Sequence, residues 1–232
     1  MARPVARRSP AAALPDWIAP QLTQLVEAAP QGDEWLHEIK FDGYRMHALL
    51  DRGAVRLLTR TGLDWTRKYP AIAAAVSALG AHQAYLDGEL CGVFPDGITS
   101  FSMIQAASDA GNAAGLVFFL FDLLHLDWDD IGARRLIERR AQLAALLSNV
   151  APPLHYSDYH TGDGKAFHAK ACELSLEGIV SKRADRPTGP ATAACGSRSN
   201  ACTARNLSWS AGPRSANHSA PEIASTSAFL HP

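Results

Sequence analysis

No apolar run in this 232-residue chain reaches the roughly 18 residues that a membrane-spanning helix needs, so nothing in it is expected to cross a bilayer. Cysteine is scarce. Cys91, Cys172, Cys195 and Cys202 form no Cys-x-x-Cys pair and are too few for a disulfide scaffold. An excess of one charge is missing as well: 22 Lys+Arg against 23 Asp+Glu give a net charge of −1, which excludes a global polycation and leaves room for a local basic groove. Arg3, Arg7 and Arg8 near the start are not followed by an apolar stretch, so no signal peptide is read there and the expected location is the cytoplasm. What is present is material for a core. The chain is 47% hydrophobic and 19% charged, which rules out wholesale disorder.

The composition changes along the chain. Residues 188–232 contain no Lys, 26 of these 45 residues are Ala, Ser, Pro or Thr, and their only charges are Arg198, Arg205, Arg214 and Glu222. Such a stretch has too little apolar surface to offset the entropy of ordering it, and it reads as a disordered tail. Setting aside its three Arg and one Glu leaves 19 basic and 22 acidic residues in 1–187. The first 13 residues, rich in Arg, Pro and Ala, also read as flexible.

Between these ends strands and helices alternate. Trp35–Phe41 and Tyr44–Leu50 show strand periodicity and are separated by Asp42-Gly43, a hairpin signal. Val55–Thr59 predicts a third strand, Pro70 opens an alanine-rich helix to about Leu79, and Ala84–Val93 predicts another strand. Leu116–Leu124 is a continuous apolar run, read as a strand buried on both faces. Leu136–Leu147 has helical spacing with Arg139 and Arg140 expected outside, Gly164–Leu174 is a further helix, and Gly178–Lys182 a short strand. Hairpins mixed with separate helices predict an α+β fold with antiparallel sheets.

Several segments carry chemistry. In Glu38-Ile39-Lys40-Phe41-Asp42-Gly43, alternation places Glu38, Lys40 and Asp42 on one face and Ile39 and Phe41 on the other. A lysine held between carboxylates and withdrawn from water loses its proton more readily and becomes a nucleophile. The bland alternative is a solvated strand face. Asp87-Gly88-Glu89 sets two carboxylates on one face, suited to a divalent metal or a ribose hydroxyl, where a charged sheet surface is the plain alternative. Phe121 offers an aromatic face for a base within a run that is otherwise core, and Glu177 with Lys182 adds a carboxylate and a phosphate-pairing cation on an edge strand.

Taken in order, these segments resemble the covalent nucleotidyltransferases, and among them the ATP-dependent DNA ligases of the bacterial ligase D type. Lys40-Phe-Asp-Gly43 is similar to their motif I, Asp87-Gly-Glu89 to motif III, Phe121-Asp-Leu-Leu124 to motif IIIa, and Glu177-Gly-Ile-Val-Ser-Lys182 to motif IV. The likeness runs from Leu14 to Pro187. It implies an adenylation domain of the ATP-grasp-like ligase type over residues 14–187, with antiparallel sheets flanked by helices and the C-terminal OB-fold missing. It also implies ATP and Mg2+ (or Mn2+) as cofactors. The partners it implies are DNA nicks or broken ends, with end-joining proteins in trans, for a nucleoid-associated monomer. Carried over position by position, Lys40 is the nucleophile and Asp42 positions it. Glu38 contacts the adenine amino group, Phe121 stacks on the ring, and Ile39 belongs to the same nucleotide site. Arg45 and Glu89 lie near the ribose, Arg60 and Lys182 near phosphate, and Glu177 with Glu89 holds the metal. The rival readings are a capping or RNA-ligating nucleotidyltransferase and a non-catalytic ATP- or DNA-end-binding remnant.

From Thr188 onward the likeness stops, where the family carries a motif V with two lysines spaced by one residue. With codon choice left open, Thr188–Pro213 can be read one base out of frame to give Trp-x-Lys-Val-Lys-Cys and then Arg-Glu-Glu-Phe-Val-Val-Val-Gly-Trp, which is ligase-like text in the right order. A one-base frameshift near Pro187 is the expectation. Reading the gene's nucleotides in the neighbouring frame is expected to return that text, and its absence there would refute the frameshift.

Overall fold

The computed structural model describes residues 12–95, 97–109, 115–188 and 196–200. Its strands are β1 (Gln24–Leu25), β2 (Gly32–Ile39), β3 (Tyr44–Asp51), β4 (Ala54–Thr59), β5 (Gln83–Val93), β6 (Thr99–Ser100), β7 (Leu116–Leu126), β8 (Asp129–Asp130), β9 (Leu154–Tyr156), β10 (His160–Gly162), β11 (Gly178–Arg183) and β12 (Gly196–Asn200). The α-helices are α1 (Pro70–Ser77), α2 (Phe101–Asp109), α3 (Leu136–Leu147) and α4 (Gly164–Glu173). None of these helices is long and apolar enough to cross a membrane.

Two sheets divide the strands. One runs β1-β12-β11-β2-β10 and the other β4-β3-β5-β7-β8, with β6 added to β5 and β9 to β7. Among the described strands every pairing is antiparallel except β1 with β12 and β7 with β9. The second sheet is buried on both faces, as the continuous apolar run of β7 requires. Met46, Ala48 and Leu50 of β3 point with Leu86, Phe118 and Leu120 into the main core, where Ile72 and Val76 of α1 and Leu143 of α3 meet them. Leu49, Tyr85, Leu58 and Leu124 face the other way and are covered by Leu14 and Ile18 of the N-terminal segment. A smaller cluster of Ala29, Ala171 and Ile179, with Phe167 and Leu176, seats α4 on the first sheet.

Three sequence expectations change here. Asp42-Gly43 does not close a hairpin. Strand β2 pairs with β10 and β11, whereas β3 pairs with β4 and β5, so Asp42-Gly43 is where the chain leaves one sheet for the other. Gly43 serves close approach rather than a turn: a Cβ there would lie 2.4 Å from the Leu90 carbonyl oxygen and 2.7 Å from Cys91 Sγ. The hairpin sits one connection later, between β3 and β4, where Arg52 (φ 50°) and Gly53 (φ 88°) both take the left-handed turn geometry.

Arg139 and Arg140, expected on the outside of α3, are buried, at 2% and 0% exposed. Leu136, Arg139, Arg140, Leu143 and Leu147 stand at helical spacing on one stripe, and that stripe faces the protein interior. Finally, residues 196–200 of the expected disordered tail form β12, paired with β11 and β1. Backbone groups on an unpaired strand edge recruit a partner strand whatever its side-chain composition. Residues 189–195 of that tail, the rest of it from 201 onward, and residues 1–11 lie outside the described residues.

The crossing at Gly43 yields a test. Gly43→Ala is expected to destabilise the fold by about 2 kcal/mol or more through backbone overlap, while Gly80→Ala, where a Cβ would meet nothing within 4 Å, is expected to stay within about 0.5 kcal/mol. Denaturant melts of the two variants measure the difference, and equal stabilities would remove the steric account.

Candidate active site

The two sheets leave between them a cleft of about 530 Å³ lined by residues that include Glu38, Ile39, Lys40, Phe41, Arg45, Arg60, Asp87, Glu89, Phe121, Val180 and Lys182. The end of β2, the start of β3, the middle of β5 and β7, and β11 all face it. Eight of the ten residues singled out from the sequence therefore converge: Glu38, Ile39, Lys40, Arg45, Arg60, Glu89, Phe121 and Lys182. Ile39 and Phe41, expected on the opposite face from Lys40, share the wall with it because strict alternation ends with β2 at Ile39.

Lys40 is tied to the first sheet through its backbone, its N–H donating to the Gly178 carbonyl at 2.9 Å. Its ammonium forms an ion pair with Glu177, which sits on the loop before β11, outside the cleft lining. Asp42 is the other residue not in the lining. Its carboxylate accepts the Phe101 N–H at 3.0 Å and its own N–H donates to Thr99 Oγ1 at 3.2 Å, so it fastens the crossing chain to β6 and α2. Asp42 thus fixes the backbone two residues beyond Lys40.

Glu38 is 2% exposed. Lys182 Nζ donates to its Oε2 at 2.7 Å and Arg140 Nη1 lies 3.8 Å from its Oε1, which has no hydrogen-bond partner. Burial lowers the pKa of the Lys182 ammonium below its ordinary value, with the ion pair to Glu38 opposing that shift. The Phe121 ring is flanked by two cations, Lys182 Nζ at 4.1 Å and Arg45 Cζ at 5.4 Å from its centroid.

On the opposite wall Arg45 grips Asp87 with both arms, Nε to Oδ1 at 3.1 Å and Nη2 to Oδ2 at 2.7 Å, and donates from Nη1 to the Gln21 carbonyl at 2.8 Å. His47 Nε2 is 3.3 Å from Asp87 Oδ1, and His47 Nδ1 is 2.7 Å from the Tyr85 hydroxyl, which also accepts the Ile18 N–H at 2.9 Å. Burial opposes charge on Asp87, yet Arg45 and His47 beside it hold its carboxyl well below the usual carboxylate range. Asp87 is thereby an anchor for Arg45. Glu89 has no such partner. Burial pushes its carboxyl up to about 8 against the attraction of Arg45, and the neighbouring Asp87 adds to the rise.

Sequence reasoning missed the N-terminal contribution of Gln21, Leu22 and Thr23 and the basic side of the cleft at Arg139, Arg183 and Arg186. Arg139 holds Asp122 through Nε and Nη2, both at 2.8 Å. The signal for the arginines of α3 was their place on the apolar stripe. For Gln21–Thr23 no local signal exists, because a backbone carbonyl offered to Arg45 leaves no mark in the sequence.

A cleft between two largely antiparallel sheets, floored by a lysine and edged by carboxylates, cations and one aromatic face, is the arrangement of nucleotidyltransferase adenylation domains. The model of the ATP dependent DNA ligase domain family matches residues 18–192. The chain belongs to that family. It is similar to the multifunctional non-homologous end joining protein LigD of Pseudomonas aeruginosa, 42% identical over 171 residues that make up 73% of this chain and 20% of that protein. It is also similar to the multifunctional non-homologous end joining DNA repair protein LigD of Mycobacterium tuberculosis, 36% identical over 171 residues, 73% of this chain and 22% of the other. A solved structure of mycobacterial DNA ligase D complexed with ATP and MES superimposes with a TM-score of 0.69 at 31% identity, covering 80% of this chain and 60% of that one. The chain thus spans about a fifth of the length of these two curated relatives.

The Glu89 carboxyl predicts a pH effect. Its folded value of about 8 lies above the ordinary 4.5, so the folded state keeps a proton that the unfolded chain gives up, and stability falls as pH rises through that window. Glu89→Gln lacks the penalty. In metal-free buffer its melting temperature is expected to match the parent's near the bottom of the window and to exceed it increasingly toward the top. A difference that stays flat with pH would contradict the assignment.

Proposed function

We propose that this chain is the adenylating part of an ATP-dependent DNA ligase acting on nicks or broken ends in repair and recombination. The observation that carries this reading is the convergence on Lys40 of an acceptor for a base edge, an aromatic face and cations for phosphate in one cleft. The ATP complex of the mycobacterial relative and the end-joining names of the curated relatives support it. DNA is the partner, with end-joining proteins acting in trans on a nucleoid-associated monomer.

On this reading Glu38, with one carboxylate oxygen lacking a hydrogen-bond partner, accepts from the adenine amino group, and the base lies on Phe121 beside Ile39. Arg45, held by Asp87, and Glu89 face the ribose. Arg60 and Lys182 lie toward the phosphates. After losing a proton, Lys40 Nζ forms a P–N bond with the α-phosphorus while the P–O bond to pyrophosphate breaks. The AMP then passes to a DNA 5′-phosphate, and a 3′-hydroxyl displaces it to join the strand. Residues 188–232 contain no lysine. They do not supply the paired cations that the family uses at the triphosphate, so strand sealing by this chain is impaired more than adenylation.

A divalent cation fits the donor set. Glu89 and Glu177 offer hard carboxyl oxygens, and since burial holds the Glu89 carboxyl up to about 8, a cation binding there would displace its proton. Magnesium or manganese held by these two residues and by phosphate oxygens would neutralise charge on the triphosphate as the nucleophile approaches. Among the described residues no three His, Cys, Asp or Glu side chains cluster as a self-sufficient metal site, so the nucleotide would complete the coordination.

Incubation with ATP labelled at the α-phosphate, followed by denaturation, tests the reading. The parent chain is expected to retain label only weakly, a trace above background. Lys40→Ala is expected to retain none while melting near the parent temperature, because Lys40 is a partly buried residue that belongs to no part of the core. Lys40→Arg is expected to fail as well, being permanently protonated. Label persisting on Lys40→Ala would rule the nucleophile out.

A further inference from the structure

Two neighbouring guanidinium groups project from α3, Arg139 into the cleft lining and Arg140 behind it. Arg139 is accounted for by its two-armed pair with Asp122. Arg140 is not matched in that way. It is wholly buried, its Nε has no hydrogen-bond partner, and the carboxylate oxygen it faces, Glu38 Oε1, is 3.8 Å away, too far for a hydrogen bond. Its Nη1 donates to the Phe121 carbonyl at 2.7 Å and its Nη2 to the Ser157 carbonyl, while the rings of Tyr156 and Tyr159 lie 4.4 and 5.2 Å from its Cζ. Taking a guanidinium out of water costs several kcal/mol, and an apolar residue of like volume often serves stability as well or better. Something other than stability is therefore gained from a cation here.

The geometry indicates what that is. One arm of Arg140 fixes the backbone of Phe121 on β7, in the second sheet, and the same nitrogen faces Glu38 on β2, in the first. Lys182 closes the triangle from β11, bonded to the other Glu38 oxygen and lying over the Phe121 ring. Two cations thus set both the orientation of the Glu38 carboxylate and its offset from the aromatic face. An ionised carboxylate only accepts hydrogen bonds, whereas a protonated one also donates. Adenine presents an amino donor at its six-position and guanine a carbonyl acceptor.

We propose that Arg140 is a positioning residue for base selection: by holding Glu38 as an oriented acceptor beside Phe121, it makes the cleft favour a base with an exocyclic amino donor over one with a carbonyl at that edge. This rests on the adenylation reading. Arg140 is not in the cleft lining, and it acts from behind the wall through Glu38 and Phe121, which are. Without it Glu38 keeps a single cationic neighbour and turns more freely, so its acceptor is no longer held toward an amino donor and the preference between the two base edges narrows.

Equilibrium binding of ATP and of GTP to the full chain, measured by ligand-observed NMR for the parent, Arg140→Met and Arg140→Lys, tests this, with melting temperatures recorded alongside. The parent is expected to prefer ATP. Arg140→Met is expected to narrow the ATP-to-GTP affinity ratio by about tenfold, in the range set by one hydrogen bond to a charged group. Arg140→Lys, which keeps the charge but cannot span both carbonyls, is expected to fall between the two. A merely structural role lowers the melting temperature and weakens both nucleotides alike, so an unchanged ratio in either variant overturns the proposal. Should Arg140→Met not fold, Arg140→Lys decides on the same criterion. A parent that prefers ATP together with variants of unchanged ratio removes the role of Arg140 alone. A parent that binds neither nucleotide removes the adenylation reading with it.

Discussion

The arrangement of this protein depends on a buried cluster of charge: the Glu38 carboxylate with Lys182 bonded to one oxygen and Arg140 facing the other. Three elements meet there, β2, β11 and α3, and the aromatic at the centre of β7 is held against them. Groups of this kind are expensive to bury singly and tolerable only when each has a counterpart. Once Glu38 is inside, the lysine and the arginine must come with it. Glu38 and Lys182 belong to one sheet, and Arg140, bonded to the Phe121 carbonyl and facing Glu38, links that sheet to the other.

The opposite wall solves a similar problem by different means. Asp87 sits wholly within the second sheet, and Arg45 satisfies it with a two-armed pair while its third donor captures the Gln21 carbonyl. The N-terminal segment is pinned at two places, at Gln21 by Arg45 and at Ile18 by the Tyr85 hydroxyl, and its Leu14 and Ile18 cover the outward apolar face of the sheet. The same segment thus buries a hydrophobic surface and completes the rim of the cleft. Glu89, two residues along β5 from Asp87, lacks a partner of this quality, and it holds its proton to about 8. Two carboxyls on one strand face are thereby held in different charge states, one ionised and one neutral, by their surroundings alone.

Much of the site was legible because its residues lie in short local patterns. Glu38 through Gly43, Asp87 through Glu89, Phe121 and Glu177 through Lys182 each occupy a few consecutive positions, and the strands that carry them have the alternation or the apolar run that strands require. From these segments the cleft gathers Glu38 through Phe41, Asp87, Glu89, Phe121, Val180 and Lys182, while Asp42 and Glu177 stay outside its lining. The short pairings β1, β8, β9 and β10, of two or three residues each, were not legible, since so few positions hold no periodicity. Helix α2 was passed over because its neighbourhood is dominated by turn residues at Pro95 and Gly97. The arginines of α3 were misplaced because charge was weighed above spacing, although the spacing put them on the apolar stripe.

The sequence by itself determined most of the longer strands and helices, and which residue types are available for chemistry, because hydrophobic period and side-chain identity are local properties. Only the tertiary structure decided the partners. Whether Asp42-Gly43 turns back as a hairpin or crosses between sheets depends on the room left by Leu90 and Cys91, some fifty residues later. Whether Arg140 faces water or Glu38 depends on the carboxylate that another sheet delivers to it, and whether Glu89 is charged depends on the water and the cations that the fold admits. Each of these is a free energy set by distance and burial between residues remote in the chain, and no local pattern encodes it.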